Sequence, residues 1–305
     1  MKAKPAKIKK FETISNTPPT IGQLAGRAML VDLTVHYWTP KATDSELSRE
    51  TERKYDTEGN FQKQLINKLH MKPVHVAMKR VEAVHRLYTL PWEDGGARIL
   101  NGETFFKYEK EMRDTTAEYM RLADELCAEW DTLVQERKLN DKSFKAEHYP
   151  TKGEIRSRFG ADLHYRPVPQ GGHLQLQLSD NALAAVRASI DSDQQNRIKT
   201  AMFDLATRVT KVIKHLMERL NEYKPATKKS KAENTFHDSL VTNVQELAEF
   251  LPAINVTGDS RIDQLAAEMT ELAKVSPDVL RDDEKARAKT VAAADLILKH
   301  VGDFI

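Results

Sequence analysis

Along most of this chain, apolar residues recur at the three- and four-residue steps of α-helices. From Glu103 to about Leu139, Phe105, Met112, Tyr119, Leu126 and Leu133 are spaced at seven, with Tyr108 and Leu122 between them. Such a narrow stripe suits packing along a neighbouring helix at a crossing of roughly +20°. A second, longer pattern spans residues 181 to 223, where Ile198, Met202, Leu205, Val209, Val212, Leu216, Leu220 and Tyr223 step by three and four. About 40 helical residues make a rod of roughly 60 Å. Two such rods predict an antiparallel pair within the chain or a coiled-coil contact between subunits.

Shorter patterns fill the rest. AMLVDLTVHYW (28 to 38) mixes β-branched and aromatic residues ahead of Pro40 and reads as a strand or an apolar helix end. Thr43 and Asp44 offer an N-cap for the charged helix SELSRETERKYD. Pro73 suits the first turn of the next helix, whose apolar face is Val74, Ala77, Val81, Val84 and Tyr88. LPWEDGGARILNG (90 to 102) is a structured turn. There Trp92, Asp94 and Arg98 fit loop packing with a local ion pair better than chemistry. KPATKKSKAENT (224 to 235) is a linker, followed by a helical stripe of Phe236, Leu240, Val244, Leu247 and Leu251 that ends at Pro252. Helices near 260 to 274 and 282 to 301 are separated by Pro277, with Asp282, Asp283 and Glu284 complementing the start of the last.

One stretch breaks the helical pattern. GADLHYRPVPQGGHLQLQL (160 to 178) alternates in twos on both sides of a Pro-Gln-Gly-Gly turn. Leu163 and Tyr165 oppose Asp162, His164 and Arg166, and Leu174, Leu176 and Leu178 oppose Gln175 and Gln177. A lone hairpin is marginal in water, so its leucines need cover from the chain's own helices or from another copy. The expected fold is mainly α: a long-helix bundle with coiled-coil-like packing, one small β-hairpin and a helical C-terminal part. Its organisation is a flexible basic tail (1 to 20), a long-helix domain (21 to 223), the linker, and a C-terminal helical domain (236 to 305).

Composition narrows the function classes. With 47 Lys and Arg against 45 Asp and Glu, the net charge is +2, so any nucleic-acid contact must come from local patches. A single cysteine, Cys127, builds neither a disulfide nor a cysteine zinc site, which fits a reducing cytoplasm. No apolar run follows the N-terminal lysines, so a secretory signal is not expected, and nothing approaches a membrane span.

No phosphate-binding loop, GxGxxG, GxSxG or HExxH pattern is present. His70, His75 and His85 lack an acidic partner at ligand spacing, and no carboxylate pair stands out for acid–base work. No catalytic residue, metal or cofactor is assigned. The candidate contacts are cationic: Lys2, Lys4, Lys7, Lys9 and Lys10 of the tail; Arg156, Arg158, His164 and Arg166 around the hairpin; and Lys228, Lys229 and Lys231 of the linker. These can hold phosphates, with Phe159 or Tyr165 stacking on bases. The competing reading makes Phe159 and Tyr165 core anchors and pairs the arginines with helix carboxylates.

MLVDLTVHYW, LPWEDGGARIL, HYPTKGEIRSRF, RPVP and FHDSLVTNVQELAEFLPAINVTGD occur in that order. Together they resemble a family of proteins of no established activity encoded by tailed bacteriophages and related mobile elements, over roughly residues 28 to 300. The basic tail lies outside the resemblance. It implies a non-virion protein of the host cytoplasm, associated with replication or recombination genes. The expected function is a non-enzymatic phage accessory protein that self-assembles and contacts DNA or RNA. The alternative is a factor that binds a host or phage protein through its helical faces.

Overall fold

A computed structural model describes residues 24–170, 172, 177, 179–226 and 230–302. At its centre is a four-stranded antiparallel sheet in the order β4–β5–β1–β6. The strands are β1 (Ala28–His36), β4 (Thr89–Pro91), β5 (Arg98–Asn101) and β6 (Gly160–Pro167). A separate ribbon pairs β2 (Lys41–Thr43) with β3 (Gln62–Gln64). The period-two alternation of β1 divides the molecule. Ala28 and Leu30 enter one apolar cluster, while Met29, Val31, Leu33 and Val35 enter the other. In β5, Ile99 and Leu100 split the same way.

On the Val31 face lie α2 (Lys68–Tyr88) and α3 (Phe105–Asn140), packed along each other. Met71, Val74, Met78 and Val81 of α2 and Tyr108, Met112, Tyr119 and Trp130 of α3 fill this cluster. On the Leu30 face lies α5 (Asp180–Glu222) with the C-terminal helices α6 (Ser239–Phe250), α7 (Ser260–Ala273), α8 (Pro277–Asp282) and α9 (Glu284–Gly302). Ile198, Leu205, Val209, Ile213 and Leu216 of α5 pack there with Val244, Ile262, Met269, Ala294 and Ile297. The mainly helical fold matches the periodicity. The two rods do not pair with each other, because the sheet stands between them. Each spends its stripe on its own side of the sheet: α3 on α2, and α5 on α9, α6 and the sheet strand β4.

Local chemistry sets the element ends. Asp44 caps α1 (Ser45–Tyr55), accepting from the Glu46 and Leu47 amides at 3.1 and 3.3 Å. It also pairs with Lys63 of β3 at 3.2 Å, both side chains being buried. Burial opposes the charge on Asp44, yet the Leu47 amide and the Lys63 ammonium hold its carboxyl down to about 2. Helix α2 starts at the Asn67 cap, so Pro73 falls in its second turn rather than its first. Lys224 and Glu233 of the linker exchange both backbone hydrogen bonds at 3.1 Å. Asp283 accepts from the Lys285 and Ala286 amides at 2.8 and 3.2 Å, as a cap. No described helix is long and apolar enough to cross a membrane.

Candidate interaction surface at the β6 edge

Strand β6 forms where the alternating sequence predicts one, but it does not stand alone. It pairs antiparallel with β1 along its whole length, from Met29 opposite Pro167 to His36 opposite Gly160. Its expected hairpin partner, with Leu174, Leu176 and Leu178, lies outside the described residues. Among the described residues nothing pairs with the other edge of β6. That edge presents a row of backbone donors and acceptors on an exposed strand.

Register fixes what each face of β6 carries. Asp162, His164 and Arg166 lie opposite Thr34, Asp32 and Leu30, on the sheet face where α5 packs against β4. Arg166 donates through Nε and Nη2 to the two Asp32 oxygens, at 2.7 and 3.2 Å. The Asp32 carboxylate raises the Arg166 guanidinium above its ordinary range. Glu93 extends the row, 3.7 Å from Arg166 and 3.9 Å from Arg197 of α5, which in turn holds Asp193 at 2.8 Å. His36 Nε2 sits 3.2 Å from Asp162 Oδ2. The other face is apolar: Leu163 packs on the α2–α3 cluster, and Tyr165 stands edge-on to Phe105 at 5.4 Å. Phe106, edge-on to Phe105 at 5.4 Å, is 81% exposed.

The expected contact residues do not form one patch. Arg156, in the short helix α4 (Lys152–Arg156), pairs with Asp124 of α3. Arg158 lies over the Trp38 ring at 5.9 Å, and Phe159 is buried among the α2–α3 residues. These three belong to the Val31 side of the sheet, whereas His164 and Arg166 face the opposite side. Lys231 is exposed. Lys2, Lys4, Lys7, Lys9, Lys10, Lys228 and Lys229 lie outside the described residues.

The Trp92–Arg98 segment also differs from its reading. Trp92 is buried, as loop packing requires, but Arg98 makes no ion pair with Asp94. It reaches across β4 to Thr89, donating to its hydroxyl at 2.7 Å and its carbonyl at 2.9 Å. Among the described residues no carboxylate lies within ion-pair distance of Arg98, and no three His, Cys, Asp or Glu side chains group as metal ligands. Arg86 and Arg208, which approach the same place, carry no signal in the sequence, because the three positions meet only in the fold. Compared with protein-family models, with curated proteins and with solved structures, the chain matches none.

Proposed function

We propose that the protein is a self-assembling accessory protein whose copies join edge to edge through β6. The observation that carries this reading is the symmetry of charge on β6, whose outer edge has no partner among the described residues. If two β6 strands pair antiparallel about His164, Asp162 of each copy faces Arg166 of the other. Leu163 then faces Tyr165 on the opposite side of the ribbon. Pairings centred on residue 162 or residue 166 instead bring like charges together. A two-fold contact needs this self-complementarity, and opposite-charge and apolar cross-strand pairs contribute about 0.2–1 kcal/mol each. Phe106, exposed and edge-on to Phe105, adds apolar surface next to the Phe105–Tyr165 pair. The resemblance read from the sequence is the ground for an accessory role in phage-infected cells, and the basic arm for nucleic-acid contact within it.

Sedimentation across a concentration series tests the pairing. Asp162→Arg gives a copy with two arginines at the paired positions, and Arg166→Asp gives one with two aspartates. Each variant alone is expected to be monomeric where the wild type dimerises. Their equimolar mixture restores a heterodimer, since every cross-strand pair is then complementary. A monomeric wild type, or variants that associate as well as the wild type, rules out β6 as the contact. A second reading, docking of a partner helix, draws on the outer face of α2. There Leu69, Val76 and Leu87 are 70%, 58% and 39% exposed at helical spacing.

A further inference from the structure

Three arginines converge where α2 ends and β4 begins. Arg98 holds the Thr89 hydroxyl and carbonyl. Arg208 of α5 donates to the same Thr89 carbonyl at 2.8 Å and to Leu87 O at 3.4 Å. Two guanidiniums sharing one acceptor oxygen lie within about 6 Å of each other at ordinary hydrogen-bond lengths. Arg86, exposed on the last turn of α2, has no hydrogen bond or ion pair among the described residues, and its charge acts on both Arg98 and His85.

The compensating charge is small. Asp204 sits 2.8 Å from Arg208 Nε, and the C-terminus of α2 adds about half a negative charge. Against three guanidiniums this leaves an excess of more than one positive charge in a half-buried setting. On the neighbours this charge acts in the same direction as burial, which is the larger cause. Burial and then the Arg208 charge bring Arg98 down to about 10. Burial and then Arg98 and Arg86 bring His85 down to about 4. Of the five N–H groups on each guanidinium, Arg98 uses two and Arg208 three. Both planes are pinned by their existing bonds, so the spare donors are already oriented.

We propose that Arg86, Arg98 and Arg208 form a binding site for a phosphate-type oxyanion. A phosphate offers the charge the cluster lacks and the paired oxygens that guanidinium forks hold best. The same chemistry is supplied by a free phosphate compound or by a nucleic-acid backbone. The site is distinct from the β6 edge and does not depend on it: Arg86→Gln leaves β6 pairing intact, and Asp162→Arg leaves anion binding intact.

Calorimetric titration with inorganic pyrophosphate at low salt tests the site, using wild type, Arg86→Gln and Arg208→Gln. Saturable binding of one pyrophosphate per chain is expected, weakened tenfold or more in each variant and competed by sulfate. Because Arg86 is exposed and unpaired, Arg86→Gln folds. In oxyanion-free buffer it melts at the wild-type temperature or above, since an uncompensated charge is gone. A fluorescent oligothymidylate then separates the sources. Displacement by pyrophosphate, and loss in Arg86→Gln, assign the phosphate to a nucleic-acid backbone. Pyrophosphate binding without oligothymidylate binding assigns it to a free compound. No saturable pyrophosphate binding, equal affinity in all three proteins, or a lower melting temperature for Arg86→Gln in oxyanion-free buffer overturns the site. The arginines are then only caps on the α2 carbonyls.

Discussion

Acidification should cost this protein stability through one buried histidine before its carboxylates titrate. His85 is 6% exposed and hydrogen-bonded at 2.8 Å to Tyr108, itself fully buried. Burial, then Arg98 and Arg86, hold the folded-state value at about 4, against about 6.5 in an unfolded chain. Between those values the unfolded chain binds a proton that the folded protein refuses, so stability falls as pH falls. Above about 6.5 neither state holds the proton and the full stability is present. By pH 5 the loss is about 2 kcal/mol, and by pH 4 about 3 kcal/mol. Urea unfolding at pH 7.5, 6, 5 and 4 measures it, with His85→Gln as the control that keeps a polar group but does not titrate. Subtracting the control removes every other titrating group. The wild type is expected to lose about 2 kcal/mol more than His85→Gln between pH 7.5 and pH 5. Parallel curves, or a His85 ring that titrates near 6.5 by NMR, refute the reasoning.

Two further substitutions probe the two layers separately. Trp130 lies edge-on to Trp38 at 5.4 Å and donates to Pro150 O at 2.9 Å; Trp130→Ala should cost about 3–5 kcal/mol in denaturant unfolding, and a loss below 1 kcal/mol contradicts a close-packed α2–α3 layer. In the loop before α7, buried Asn255 donates to Asp259 O at 3.0 Å and accepts from the Asp259 amide at 3.1 Å. Asn255→Ala leaves the Asp259 amide unpaired, while the Asp259 carbonyl keeps the Ile262 amide at 3.0 Å; it should cost about 1–2 kcal/mol, with faster amide exchange at Asp259, and unchanged exchange there shows that the side chain does not hold the loop.

What the sequence made legible was whatever local periodicity and capping encode. The steps of three and four place α3 and α5 within a few residues of their ends, and the Asp44 cap can be read from one residue and its successor. The stripe at Phe105, Met112, Tyr119, Leu126 and Leu133 says that something packs there, but not what. A stripe on α2 or on another copy gives the same spacing, and only the intervening sheet decides. The sheet itself was half legible. The alternation of 160 to 167 marks a strand, yet its partner, β1, lies more than a hundred residues away. No turn signal encodes that pairing, whereas the nearby Gly-Gly turn points to a local one. The arginine cluster was hidden for the same reason. Arg86, Arg98 and Arg208 come from a helix end, a strand start and the middle of α5, and Asp94 is the nearer carboxylate to Arg98 only along the chain.

The two edges of the central sheet are treated unequally, and that asymmetry links the surface to the site. At β4 the edge is short, includes Pro91, and is covered by α5, whose Arg208 occupies the Thr89 carbonyl. Pro, brevity and an attached helix are the means by which proteins close a strand edge. At β6, whose outer edge has no partner among the described residues, the strand is longer, its one proline falls at the end, and the proposed pairing about His164 sets its charges opposite one another rather than like against like. An edge left open by default would be expected to carry like charges or lysine; β6 carries one acid and one base at symmetric positions. Joining two copies there makes one continuous sheet with β6 strands at its centre and a β4 edge at each end. Both arginine clusters then lie at the outer margins, away from the contact. The proposed assembly therefore leaves the proposed anion sites open, and a polyanion that bridges them would favour the dimer. Oligothymidylate long enough to span both clusters is expected to raise the dimer fraction, whereas pyrophosphate, which fills each cluster singly, is expected to leave it unchanged.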